Sequence, residues 1–219
     1  MNLEQARFNM VAQQIRPWEV FDDNVLDLFM TVRREEFVPP ACRELAFADI
    51  EVPLMNGRKM LFPKIEARIL ESVKIRKSDN VLVIGAGSGF LAALCAARAE
   101  WVRVVEIDTQ IASFAQANLD KNGVQNCIVE DGDGANGWSE RAPYNVIIAT
   151  GSVPVLPEEW LQQLAVGGRM FVVIGDGKAM DMQAMLITKT GEGEYHRQSI
   201  FETYLEPLVN APQVSGFSF

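Results

Sequence analysis

Asn80-Val81-Leu82-Val83-Ile84-Gly85-Ala86-Gly87-Ser88-Gly89-Phe90 decides how this chain is read, because an apolar strand runs into a glycine-rich turn that opens onto the helical Leu91 to Arg98. Glycines in such a turn let the backbone approach a ligand without side-chain obstruction, and the helix start behind them supplies free N–H groups. The stretch therefore predicts a nucleotide-sized binding site. Glycine spacing discriminates among nucleotides. A dinucleotide fingerprint needs its third glycine three places after the second, and Phe90 stands at that position. A nicotinamide-dependent oxidoreductase is accordingly the least favoured reading.

Outward from this turn the pattern alternates. Strand 80–84 precedes a helix from about Leu91, strand 102–107 precedes a helix over Ile111 to Asn122, and a short strand Cys127 to Val129 leads into the turn-rich Asp131 to Trp138. Tyr144 to Thr150 reads as an apolar strand, Glu158 to Leu164 as a helix, and Arg169 to Ile174 as a strand after the Gly167-Gly168 turn. Apolar strands alternating with helices predict a parallel sheet covered on both faces. Gln183 to Thr190 and Ser199 to Leu205, flanking Gly191-Glu192-Gly193-Glu194, predict an antiparallel hairpin that closes one edge.

Ahead of the turn lies a helical preface. Leu3 to Gln14 has helical character, and Asp22-Asp23 offers an N-cap to a helix over Asn24 to Thr31. After Pro63, an amphipathic helix carries Ile65, Ile69, Leu70 and Val73 on one side and Glu66, Arg68 and Glu71 on the other. The expected organisation is one domain over 1–219, with a helical and substrate-side region at 1–75 and a ligand-binding α/β sheet at 76–219.

Composition bounds the partners. The 219 residues are 48% hydrophobic, enough to bury a full core. A net charge of -9 and a pI near 4.7 argue against broad nucleic-acid binding, which needs a basic footprint. Cys42, Cys95 and Cys127 form no CxxC pair, so they read as buried thiols of a reducing compartment rather than a disulfide framework or zinc site. The polar Met1 to Arg7 and the lack of a long apolar run predict neither a signal peptide nor a membrane partner, hence a cytoplasmic protein. No metal is expected: counted as a calcium loop from Asp131, the sixth position is Asn136 and the twelfth Ala142. His196, the one histidine, falls in the hairpin and reads as a surface residue. Nothing in the pattern specifies an oligomeric state.

In an open parallel sheet the ligand sits beyond the carboxyl ends of the strands. Gly85, Gly87 and Gly89 with the following strand Val102 to Asp108 resemble the S-adenosylmethionine turn of class I methyltransferases. Glu106, about 20 residues after the glycines, is suited to accept both ribose hydroxyls. Asp133, in Asp131-Gly132-Asp133-Gly134, is suited to accept the adenine amino group, although a turn-forming aspartate reads the same way.

The likeness then becomes specific. Gln13-Gln14-Ile15, Arg34-Glu35-Glu36-Phe37-Val38-Pro39, Ala46-Phe47-Ala48-Asp49, Pro53-Leu54, Gly132 to Trp138 and Ala142-Pro143-Tyr144 resemble, in order, the protein-L-isoaspartate O-methyltransferase family. The resemblance implies a Rossmann-like α/β fold with a helical preface and C-terminal hairpin. It implies S-adenosylmethionine as cofactor and a protein or peptide substrate whose abnormal isoaspartyl carboxylate is methylated, which starts repair through a succinimide. It assigns Gly85, Ala86, Gly87, Ser88, Gly89, Glu106, Ile107, Asp133 and Gly134 to the cofactor, and Met60, Leu61 and Pro63, within the Asp49 to Pro63 segment, to the substrate.

Three departures from the family pattern stand out. The usual Gly-Gln-Thr-Ile-Ser-x-Pro, whose serine faces the reacting carboxylate, is here Gly57-Arg58-Lys59-Met60-Leu61-Phe62-Pro63. Leu61 replaces the serine, Lys59 the threonine, and Val83 a glutamate common in the strand before the turn. No catalytic residue is assigned on this basis, and Arg58 and Lys59 are the candidate substitutes. The runner-up expectation is a relative with another methyl acceptor, or a non-catalytic cofactor- or partner-binding protein. Asn210 to Phe219 has no clear counterpart in the family; Phe217 and Phe219 are candidate anchors in a terminus expected to be mobile.

Overall fold

The computed structural model describes residues 2–175 and 182–213. The expectation for Phe217 and Phe219 lies outside them. Seven strands form one mixed sheet: β1 (Asn80–Ile84), β2 (Trp101–Glu106), β3 (Cys127–Asp131), β4 (Tyr144–Val153), β5 (Leu164–Ile174), β6 (Gln183–Gly191) and β7 (Glu194–Glu202). Their order is β3-β2-β1-β4-β5-β6-β7, parallel as far as β5 and antiparallel across β5/β6 and β6/β7. The strand order reverses between β1 and β4, which puts the crevice of a doubly wound sheet at the end of β1.

Side chains on a strand alternate between faces, and β1 divides accordingly. Val81 and Val83 join the core shared with the N-terminal helices, while Leu82 and Ile84 join a second core around Trp160, Leu164 and Met170. Both faces are therefore dry, which explains an almost uninterrupted apolar strand.

The helices are α1 (Leu3–Met10), α2 (Asp23–Thr31), α3 (Pro63–Val73), α4 (Phe90–Ala96), α5 (Thr109–Lys121) and α6 (Glu158–Gln162). Asp22 caps α2 through its side chain, and Asp108 caps α5 by accepting from the Gln110 and Ile111 N–H groups. Phe90, fully buried at the start of α4, packs edge-on against Phe29 and Phe37 with ring centroids 5.8 and 5.5 Å away. The residue that breaks the dinucleotide spacing thus fastens the preface to the glycine turn.

Several sequence expectations need correction. The polar side of α3 is not solvated: Glu66 and Arg68 are buried, because the preface covers one flank and the sheet the other. Arg68 donates to the Glu19 carbonyl at 3.1 Å and carboxylate at 3.0 Å and lies over the Phe201 ring. Strand β7 starts at Glu194 rather than Ser199, and β5 starts at Leu164, ahead of Gly167-Gly168. Cys95 and Cys127 are buried thiols as expected, but Cys42 is only partly covered. Burial pushes the Cys127 thiol up to about 12.

Candidate functional site

The glycine turn is built by steric exclusion. Gly85 has φ +94°, and a Cβ there would lie 2.1 Å from Thr150 Oγ1. That hydroxyl donates to the Ile84 and Gly85 carbonyls at 2.9 and 3.2 Å, so β4 pins the exit of β1. Gly89 also adopts a positive φ, but as the N-cap of α4, where a Cβ would sit 2.9 Å from the Ala115 carbonyl. Its smallness serves α4–α5 packing, and it does not line the cavity.

A cavity opens at the carboxyl ends of β1, β2 and β4. Gly85, Ala86, Gly87 and Ser88 line it, with Glu106, Ile107, Asp133 and Gly134 on the far side. Glu106 is buried and oriented by two backbone donors, Ala86 N–H at 2.8 Å and Asp108 N–H at 3.0 Å. Its carboxylate is thus preset against the glycine turn. Asp133 takes the Ala135 N–H at 2.9 Å on one oxygen and the Asn210 amide at 2.8 Å on the other. It is both a turn former and a cavity residue. Ile84, Leu91, Val105 and Ile111 supply apolar wall suited to a purine face.

The opposite wall comes from the segment before α3. Arg58, Lys59, Met60 and Leu61 all line the cavity, whereas Pro63 is the buried first residue of α3 and does not. Lys59 donates to Glu206 at 2.9 Å and reaches Glu51 at 3.5 Å; these partners raise its pKa, the Glu206 hydrogen bond foremost. Arg58 makes no ion pair among the described residues. Of the two candidate cations, Arg58 is the one left for a ligand anion.

Sequence reasoning missed four contributors. Arg34 is buried behind the wall, donating to the Leu61 carbonyl at 2.9 Å, the Ala46 carbonyl at 3.0 Å and Glu66 at 2.6 Å. Glu66 lines the cavity, and its burial pushes its pKa up to about 7 against the opposing pull of Arg34. Thr150 is the third. The fourth is the strip Leu205 to Val209, which covers the cavity and is fastened to β4 at Ser152 through backbone bonds from Ser152 to Glu206 at 3.0 Å and from Leu208 to Ser152 at 2.9 Å. The resembling motif at Arg34 to Pro39 was the only signal for any of them.

Among the described residues no group of three or more His, Cys, Asp or Glu side chains is placed to hold a metal ion. None of their helices is long and apolar enough to cross a membrane. His196 is exposed in β7 opposite Thr188.

Comparison with known proteins bears on the fold and the family. A solved structure described as a protein-L-isoaspartate O-methyltransferase superposes with a TM-score of 0.77 at 26% identity, covering 94% of this chain and 66% of that one. A Plasmodium falciparum protein solved with S-adenosyl-L-homocysteine, 17% identical, has the same fold with a TM-score of 0.78 over 95% of this chain and 99% of its own. Protein-L-isoaspartate O-methyltransferase 2 of Pelobacter propionicus is 34% identical over 96% of this chain and 93% of its own length. The Rhodopseudomonas palustris enzyme is 36% identical over 92% of each. The model of the protein-L-isoaspartate(D-aspartate) O-methyltransferase family matches residues 6–213. With its class I methyltransferase sheet and this match across nearly its whole length, the chain belongs to the protein-L-isoaspartate(D-aspartate) O-methyltransferase family.

Proposed function

We propose that the protein is an S-adenosylmethionine-dependent protein-L-isoaspartate O-methyltransferase in which Arg58 engages the reacting carboxylate. One observation carries this reading. A single cavity has Gly85 to Ser88, Glu106 and Asp133 on one side and Arg58, Met60 and Leu61 on the other. The donor set fits the cofactor: an oriented buried carboxylate for the ribose hydroxyls, Asp133 for the adenine amine, and apolar residues between them. Bound there, S-adenosylmethionine supplies an electrophilic methyl group on a sulfonium.

A carboxylate with a reference pKa near 4 is already ionised at neutral pH, so its methylation needs alignment rather than a general base. Leu61 stands where the family pattern has serine and offers no hydrogen bond. One bond to a charged group is worth about 1.5–3 kcal/mol, or roughly ten- to a hundredfold in rate. The Arg58 guanidinium, in no ion pair among the described residues and able to grip both carboxylate oxygens, is suited to make up that deficit. Met60 and Leu61 keep water from the acceptor.

The test is methyl transfer from labelled cofactor to an isoaspartyl peptide. The native protein should be active and Arg58→Met lower in kcat/KM by about a hundredfold, with binding of S-adenosylhomocysteine unchanged. Cofactor binding without transfer to the peptide would favour a different methyl acceptor. No binding up to millimolar would favour a partner-binding protein.

A further inference from the structure

Pro53 and Lys59 form an antiparallel bridge, and the chain between them is a tight hairpin. Its tip is Asn56-Gly57, with φ/ψ 56°/29° at Asn56 and φ +72° at Gly57, closed by the Arg58 N–H to Met55 carbonyl bond at 3.0 Å. This is a type I′ turn, for which Asn-Gly is the favoured pair. Asn56 has a second task. Its side-chain amide donates to Asp108 at 2.8 Å and Gln110 at 3.1 Å, fastening the cavity wall to the start of α5.

Asn-Gly is also the dipeptide in which the following nitrogen is least shielded from the asparagine amide carbon, since glycine has no side chain. The chain has three such pairs: Asn56-Gly57, Asn122-Gly123 and Asn136-Gly137. In two of them the glycine N–H is engaged, Gly123 with the Asp120 carbonyl at 3.0 Å and Gly137 with the Gly134 carbonyl at 2.8 Å. Gly137 is also buried, and Gln163 crowds it. The Gly57 N–H makes no well-aligned hydrogen bond among the described residues, and both tip residues are exposed.

We propose that Asn56 is a site of spontaneous deamidation, and that the resulting isoaspartyl residue unfastens the acceptor wall from the cofactor half of the cavity. The Gly57 nitrogen attacks the Asn56 Cγ, giving up its proton to solvent as the C–N bond forms, and ammonia leaves to give a cyclic succinimide. Water then opens either carbonyl, producing aspartate or isoaspartate.

Each product removes the amide donor and sets a new carboxylate against Asp108. The Asn56 bond is the largest influence holding the Asp108 carboxyl below its usual range. Isoaspartate also adds one carbon to the main chain at the tip. A two-residue turn fixes hairpin register, so Arg58, Lys59 and Met60, immediately beyond it, lose their alignment.

The test ages the intact protein at 37 °C and mildly alkaline pH, then maps gains of one mass unit by peptide mass spectrometry. Asn56 should convert measurably faster than Asn122 or Asn136, whose glycine N–H groups are held by backbone carbonyls. Equal or slower conversion at Asn56 would overturn the assignment, whatever the enzyme's substrate proves to be. For the consequence, Asn56→Asp reproduces the charge without the extra backbone carbon. It should weaken S-adenosylhomocysteine binding severalfold, and aged protein enriched in isoaspartate should be weaker still. Aged and fresh protein of equal affinity would remove the structural consequence.

Discussion

At the scale of single residues, the cavity rests on groups whose alternatives are sterically or electrostatically costly. Gly85→Ala places a methyl group into Thr150 Oγ1, which two hydrogen bonds hold still, and imposes a left-handed φ on an L-residue. Folding should survive while S-adenosylmethionine affinity falls about tenfold or more, as calorimetry would report; unchanged affinity would mean that the turn does not bear the cofactor. Glu66 gives a pH signature. Its pKa of about 7 lies above the unfolded value of 4.5, so between these values the folded protein holds the proton more often than the unfolded chain. Its stabilising contribution is therefore complete below pH 4.5 and is lost as pH rises through 7. Urea denaturation of the native protein and Glu66→Gln at pH 5 and 7.5 should show the variant gaining relative stability at the higher pH. The linkage sets the gain at up to about 3 kcal/mol, and a pH-independent difference would sink the assignment.

At the scale of elements, legibility tracked how local the determining interactions are. The unit of β1, glycine turn and α4 could be read directly because its strand, turn and helix signals lie within one short stretch, and Glu106 followed from its distance to the glycines. The polar side of α3 could not, since helical periodicity describes one helix and Glu66 is buried by Arg34, 32 residues away. The onset of β7 was hidden for the opposite reason: Tyr195 to Gln198 lie on an edge strand largely exposed to solvent, so no apolar alternation marks them. The cover strip was equally invisible, as Leu205 to Val209 is irregular and acquires its place through Ser152 and Lys59. Lys59 bridges this strip to the acceptor wall in a solvent-exposed pair. Lys59→Met should speed dissociation of S-adenosylhomocysteine about two- to fivefold at low salt, with the difference shrinking as salt screens the native pair. Stopped-flow displacement at two ionic strengths would measure it, and equal off-rates would mean that the strip is held by Ser152 alone.

At the scale of the molecule, the preface and the sheet share one interior. A single apolar cluster runs from Met10 and Phe29 through Ile69 and Phe90 to Val83, Ile148 and Phe171, so residues on both sides of position 75 lose their burial together. A buried polar joint reinforces it. Arg169 of β5 donates to the Val73 and Lys74 carbonyls at the end of α3 and pairs with Asp79 at 2.5 Å, just before β1. One guanidinium therefore satisfies the helix C-terminus, an acidic side chain and the sheet at once, and no isolated part of the chain retains all three. This arrangement predicts one cooperative unfolding transition for the whole chain, with fluorescence from the tryptophans on both sides of position 75, Trp18 in the preface and Trp160 on α6 among them, coinciding with circular dichroism. Arg169→Met leaves Asp79 buried without its partner, which should cost about 3–5 kcal/mol and move that transition to lower urea without splitting it. Two separable transitions, in the native protein or the variant, would instead mean that residues 1–75 and 76–219 fold as independent units and that the cavity between them is assembled by docking.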